Sequence, residues 1–128
     1  MTIRGSKAMV AEANAAVETL LADAAVRLAG DPDVVFVDVR DPAECQKAGT
    51  IAGAIAAPRG MLEFLADPAG ERHLPVFSSG KRLVLFCATG GRSALAAKTL
   101  QDMGFPRVAH VAGGFPAWVA AGGPVAKA

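Results

Sequence analysis

Cysteine, histidine and charge are all scarce in this chain, and each shortage removes a class of protein. Two cysteines, Cys45 and Cys87, in 128 residues are too few for a disulfide framework, so reduced thiols and a cytoplasmic location are expected. His73 and His110 are isolated in the sequence and no His/Cys cluster has metal-ligand spacing, so neither a metal nor another cofactor is expected. Charged residues make up 20% of the chain and the net charge is +1, which excludes a nucleic acid or membrane partner held by bulk charge. No apolar run approaches the roughly 20 residues needed to span a bilayer. Residues 1–7 lack the apolar segment of a secretory signal. No phosphate-binding glycine signature is present.

What is present is an apolar chain, 52% hydrophobic, which predicts one globular domain over residues 1–128. Its informative stretch is Leu83-Val84-Leu85-Phe86-Cys87-Ala88-Thr89-Gly90-Gly91-Arg92-Ser93-Ala94. Four apolar residues predict a buried strand, Cys87 stands where it stops, and Gly90 and Gly91 allow a tight turn. Ser93 is the expected cap of an Ala/Leu-rich helix running to Met103, with Leu95, Ala96 and Leu100 inward and Gly104 at its end. Ligands of α/β sheets sit where strands end and helices begin. Amide N–H groups there form an anion-binding concavity that lowers the pKa of a thiol from its usual value of about 8.5. Cys87 is therefore expected to be an exposed, anionic nucleophile.

Elsewhere the residues predict a helix over Lys7 to Val17 and a second, capped by Thr19, over Leu20 to Leu28, with a short strand at Val17-Glu18-Thr19 left open. Val34–Val37 is a central strand, and Asp38 and Arg40 fall at its end, on the same sheet edge as Cys87. Asp41-Pro42-Ala43-Glu44 opens a helix to about Ala48. Ala54–Ala57 is a weak strand and Gly60–Ala66 a short helix. Asp67–Gly80 is an irregular surface excursion. Val108–Val111 is the last strand. Gly113 and Gly114 open a terminal helix in which Phe115 and Trp118 anchor the core, ended by Gly122-Gly123-Pro124. This alternation predicts an α/β fold, a mainly parallel sheet flanked by helices on both faces. Asp38 is expected to cap loop amides and Arg40 to pair with Glu44 or another acid. Cys45, beside Glu44, is expected to have a raised pKa and to be a packing residue; forming a disulfide with Cys87 is its alternative role.

Three motifs in register resemble the rhodanese family: Val37-Asp38-Val39-Arg40 with Glu44 and Gly49-Thr50-Ile51-Ala52-Gly53-Ala54, then Cys87 to Ser93, then Gly113 to Trp118. The resemblance covers about Val17 to Pro124 and leaves a helical extension over about 6–16. It implies a rhodanese-like fold with five strands, including one at Val17-Glu18-Thr19, and Cys87 at the bottom of a shallow pocket. The implied activity is that of a sulfurtransferase. A Cys87 persulfide would take sulfane sulfur from thiosulfate, polysulfide or a persulfide (a protein persulfide included) and pass it to a thiol or cyanide. In that reading Ala88, Thr89, Gly90 and Gly91 cradle the sulfur with backbone amides, and Arg92 holds the loop or neutralises the anion. Thr50 replaces the family's histidine, at little expected cost. No cation lies between Cys87 and Arg92, so thiosulfate is expected to be a poor donor, with Arg59 the candidate for a compensating charge. Two rival readings are a non-catalytic or slow sulfur-carrier module and a small phosphatase or arsenate reductase. Protein phosphatases place one more residue between cysteine and arginine than the four found here.

Overall fold

The computed structural model describes residues 2–128, so Met1 of the domain expected over 1–128 lies outside it. Strands among the described residues are β1 (Glu18–Leu20), β2 (Val34–Asp38), β3 (Thr50–Ile51), β4 (Ile55–Ala56), β5 (Arg82–Phe86), β6 (Val108–Val111) and β7 (Val125–Ala126). The helices are α1 (Ser6–Ala16), α2 (Ala22–Val26), α3 (Pro42–Ala48), α4 (Leu62–Ala66), α5 (Gly91–Met103) and α6 (Gly114–Ala120). Five strands form one sheet in the order β1-β6-β5-β2-β4, every neighbouring pair parallel.

Strand parity divides the core. Successive side chains on a strand point to opposite faces. Val35, Val37, Leu83, Leu85 and Cys87 thus face one layer with Ala96, Ala97 and Leu100 of α5 and Leu62 of α4. Phe36, Val84 and Phe86 face the other, with Ala25 of α2 and Phe115 and Trp118 of α6. Trp118 meets Phe36 edge to face, ring centroids 5.0 Å apart. Cys87 continues the β5 alternation, which delivers its side chain beneath the start of α5.

Several boundaries depart from the sequence expectation. Thr19 caps no helix; it lies in β1, paired with His110, and α2 begins only at Ala22. The short strand occurs at Glu18–Leu20, where the edge of β6 supplies hydrogen-bond partners that no local pattern reveals. Residues 67–80 are not wholly superficial: Phe77, in a single helical turn at Pro75–Ser78, is buried and packs edge to face on Phe105. Leu95 is only half-buried, and Ala94 and Ala97 take the inner face of α5 instead. Beyond the terminal helix, β7 pairs antiparallel with β3.

At the end of β2 sits a buried ion pair. Asp38 and Arg40 are 2% and 3% exposed, and Arg40 donates Nε–H and Nη2–H to Asp38 at 2.9 and 2.7 Å. Thr50 Oγ1 and Cys45 Sγ also donate to this carboxylate, at 2.8 and 3.2 Å. Burial pushes the Asp38 carboxyl up, but these hydrogen bonds outweigh it and hold the group below its usual range. Arg40 also donates to the Gly49 carbonyl at 2.6 Å and lies over the Phe115 ring. Asp38→Ala would leave the guanidinium buried without its partner. Denaturant unfolding is expected to show a loss of roughly 3–5 kcal/mol, far above that of an exposed ion pair.

Candidate active site

The chain leaves β5 at Phe86, and its path is fixed on both sides. Phe115 donates its backbone N–H to the Cys87 carbonyl at 2.7 Å. That approach requires glycine at 114, where φ is +65° and a Cβ would lie 2.3 Å from the Cys87 oxygen. After Cys87 the chain reverses through Gly90 at φ +104°, a left-handed conformation that favours glycine, and α5 starts at Gly91. Gly90, not Ser93, is therefore the residue flanking the helix; Ser93 lies inside the first turn and is fully buried.

The reversal aims donors at the sulfur. Gly90 N–H and Ser93 N–H point at Cys87 Sγ from 3.1 and 3.4 Å, and Ser93 Oγ lies 3.6 Å away. Burial pushes the thiol pKa up, but the Ser93 hydroxyl and the amides of Ser93, Gly90 and Thr89 outweigh it, leaving Cys87 below the ordinary thiol value. The expectation of an exposed sulfur is corrected, because Cys87 has no solvent exposure. β5 parity turns it under α5, and its own loop closes over it. Within that loop Thr89 is exposed, Ala88 and Gly91 are half-buried and Gly90 is buried.

Of the charged residues singled out in the sequence, Arg59 is the one placed differently from the expectation. Arg92 donates two hydrogen bonds to Glu44 of α3, at 2.7 and 2.9 Å, which ties the loop to the rim of the sheet. Glu44 also accepts the Asp41 N–H at 3.2 Å. Arg40 pairs with Asp38 and not with Glu44, and the loop amide that Asp38 accepts is that of Arg40 itself, at 3.1 Å. Arg59 is not brought to the Cys87 loop. It donates to Glu63 at 2.9 Å and Thr99 at 3.2 Å, and lines a separate groove with Met9, Leu95, Lys98 and Asp102. Cys45 is buried and its thiol is pushed up to about 11, first by burial, then by Asp38, with Glu44 a smaller contributor.

Sequence reasoning missed the polar residues behind the sulfur. His110 of β6, dismissed as isolated, is 2% exposed, and its Nδ1 lies 3.0 Å from Ser93 Oγ. Its Nε2 lies 2.7 Å from Asn14 Oδ1 and 3.2 Å from Thr19 Oγ1. A histidine inside an otherwise apolar strand was the available signal. An open cleft of about 310 Å³ lies beside this group, lined by Asn14, Thr19, Thr89, Gly90, Gly91 and His110 among others.

Comparison with known proteins agrees with this fold. Residues 21–121 match the model of the rhodanese-like domain, and the chain belongs to that family. It is 33% identical over 99 residues to a sulfurtransferase of Allochromatium vinosum, covering 77% of this chain and 84% of that one. A Rhodopseudomonas palustris protein of unknown function, described as a possible tyrosine phosphatase, superposes with a TM-score of 0.93 at 52% identity, with 98% of each chain covered. The Wolinella succinogenes polysulfide-sulfur transferase homodimer superposes with a TM-score of 0.71 at 32% identity, over 94% of this chain and 85% of that one.

The Glu44–Arg92 pair has a pH signature. Hydrogen bonds from Arg92 hold the Glu44 carboxyl at about 2, against 4.5 in the free side chain. A depressed folded-state pKa contributes stability that is complete above pH 4.5 and is lost as the pH falls toward 2. Thermal unfolding of wild type and Glu44→Gln should therefore differ at pH 6 and converge as the pH approaches 2. The difference will be modest, since the Glu44 and Arg92 side chains are 35% and 39% exposed.

Proposed function

We propose that this protein is a sulfurtransferase that carries sulfane sulfur on Cys87. The observation that carries the reading is the pair of backbone N–H groups aimed at the buried Cys87 sulfur, which favour its anionic form. The thiolate attacks the outer sulfur of a donor R–S–SH. A new S–S bond forms to Cys87, the donor's S–S bond breaks, and R–S⁻ leaves with the electron pair. An acceptor thiolate then attacks the outer sulfur of the Cys87 persulfide, returning Cys87 as thiolate and leaving as A–S–SH. Cyanide in the acceptor's place yields thiocyanate. Because Cys87 is sealed, the loop over Ala88, Thr89, Gly90 and Gly91 shifts to admit the donor, and its amides hold the added sulfur.

Electrostatics at the loop narrows the donor. Ala88–Gly91 carry no cation, and the charge of Arg92 is already neutralised by Glu44. A thiosulfate dianion gains little there, whereas the reacting end of a persulfide R–S–SH carries at most one negative charge. The relatives' names, sulfurtransferase and polysulfide-sulfur transferase, support this class of chemistry. No metal or organic cofactor takes part in it. A cytoplasmic location and a single domain with a core over about 17–124 belong to the same reading.

The description of the Rhodopseudomonas palustris protein favours a second reading, phosphate-ester hydrolysis. Against it, four residues separate Cys87 from Arg92, and Arg92 is engaged by Glu44 and not aimed into the loop. The test measures sulfur transfer to cyanide and to a thiol, and aryl phosphate turnover, for wild type, Cys87→Ala and Cys45→Ala. Wild type and Cys45→Ala should transfer sulfur, faster from a cysteine persulfide than from thiosulfate, and Cys87→Ala should be inactive. Equal loss in Cys45→Ala would make Cys45 the thiol that resolves the Cys87 persulfide. Aryl phosphate turnover that disappears with Cys87 would replace the reading with the phosphatase one.

A further inference from the structure

The group behind the sulfur forms one unbroken chain of hydrogen-bonding atoms: Cys87 Sγ, Ser93 Oγ, His110 Nδ1, the imidazole, His110 Nε2 and Asn14 Oδ1. Its polarity can be read from chemistry. Asn14 Oδ1 is only an acceptor, so Nε2 carries a hydrogen and donates it. Thr19 Oγ1 also donates to Asn14 Oδ1, at 3.4 Å, which leaves its own lone pairs toward Nε2–H. In the neutral imidazole Nδ1 is then bare, and the single Ser93 hydroxyl proton is directed to it at 3.0 Å, closer than the 3.3 Å to the Gly90 carbonyl. Ser93 Oγ is left as acceptor for the Cys87 S–H.

Removing only the sulfur's proton breaks this chain. With Nδ1 bare the one Ser93 proton stays directed to it, so the Sγ anion keeps the Gly90 and Ser93 amides but forgoes the hydroxyl's hydrogen bond. Every member is satisfied again if Nδ1 gains the proton: Nδ1–H donates to Ser93 Oγ, Ser93 O–H donates to Sγ, and Nε2–H remains on Asn14. We infer that His110 receives the Cys87 proton through Ser93, and that Asn14, on the α1 helix ahead of the family segment, is a positioning residue that holds the imidazole in the receiving tautomer. In this step the S–H bond breaks and an Nδ1–H bond forms. The Ser93 proton passes on as it is replaced, and no oxidant or second reactant enters. The product is a thiolate–imidazolium pair.

The surroundings allow this coupling to be seen. The groups facing the imidazole from α1, β1 and α5 are Asn14, Thr19 and Ser93, all uncharged, and its neighbour on β5 is Leu85. The charges beside the sulfur are Arg92 and its partner Glu44. Burial alone displaces the His110 pKa, and it does so downward. A thiolate at the other end of the chain opposes that displacement. The segment matched to the family begins at residue 21, whereas α1 ends at Ala16, so Asn14 lies in the extension.

The inference deepens the sulfur-transfer reading and rests on it for its purpose, but its test uses no sulfur donor, so either can fail alone. Nuclear magnetic resonance of the His110 ring nitrogens is followed against pH in wild type and Cys87→Ala. Alkylation of Cys87, mapped by peptide mass, is followed in wild type and His110→Gln, whose side chain can accept from Ser93 but cannot take a proton. Coupling between two titrating groups is reciprocal. His110 should hold its second proton to a pH about one unit higher in wild type than in Cys87→Ala, and Cys87 alkylation near neutral pH should slow roughly tenfold in His110→Gln. Asn14→Leu should shrink both shifts, and Asn14→Asp, which keeps an acceptor, should restore them. Identical His110 titrations in wild type and Cys87→Ala would overturn the inference, and this comparison leaves His110 itself unaltered. Shifts unchanged in Asn14→Leu would remove the α1 extension from it.

Discussion

Two amide hydrogens pointing at one buried sulfur are the constraint on which the site depends. They can do so only because the chain reverses within a few residues of β5. That reversal requires a left-handed Gly90 and a carbonyl at Cys87 that is held against the N-terminus of α6. Gly114 makes the second contact geometrically feasible. The sheet core serves the same arrangement. β5 lies between β2 and β6, both its faces are buried, and its alternation sets which face receives Cys87.

The two cysteines show how environment, and not residue type, sets chemistry. Both are buried. Burial, and then the hydrogen bond it donates to the Asp38 carboxylate, stabilise the protonated form of Cys45 and push its thiol up to about 11. Cys87 receives N–H donors, so its neighbours stabilise the thiolate against the same cost of burial. The ion pairs divide in a parallel way. Asp38–Arg40 is buried and organises the loop after β2, whereas Glu44–Arg92 stands at the partly exposed rim and removes the loop's one positive charge.

Much of this was legible in the sequence where the signal is local. Continuous apolar runs gave β2, β5 and β6, Asp41-Pro42 gave α3, and Gly104 ended α5 in the left-handed conformation expected of it. The three motifs led to the rhodanese-like domain family, and the chain matches its model. What escaped depends on partners distant in sequence. The residues alone left the first strand open, and the resemblance set it one residue early, at Val17-Glu18-Thr19; it exists at Glu18–Leu20 because β6 lies alongside it, and β7, which no signal announced, exists because β3 does. Arg59 carried no local sign that Glu63 and Thr99 would draw it into another groove. Asn14 and His110 are 96 residues apart, and neither suggests the other. The expectation of an exposed thiol failed for a related reason: a strand-end cysteine gives no indication that its own loop will cover it.

The central claim is that the Cys87 sulfur is a nucleophile toward sulfane sulfur. Its most direct test is the intact mass of the protein, followed by peptide mapping, after brief exposure to polysulfide and to a cysteine persulfide. The account predicts a gain of one sulfur atom, located on the Cys87 peptide and removed by cyanide. A protein that gains no sulfur from either donor, or gains it on Cys45 alone, would contradict it.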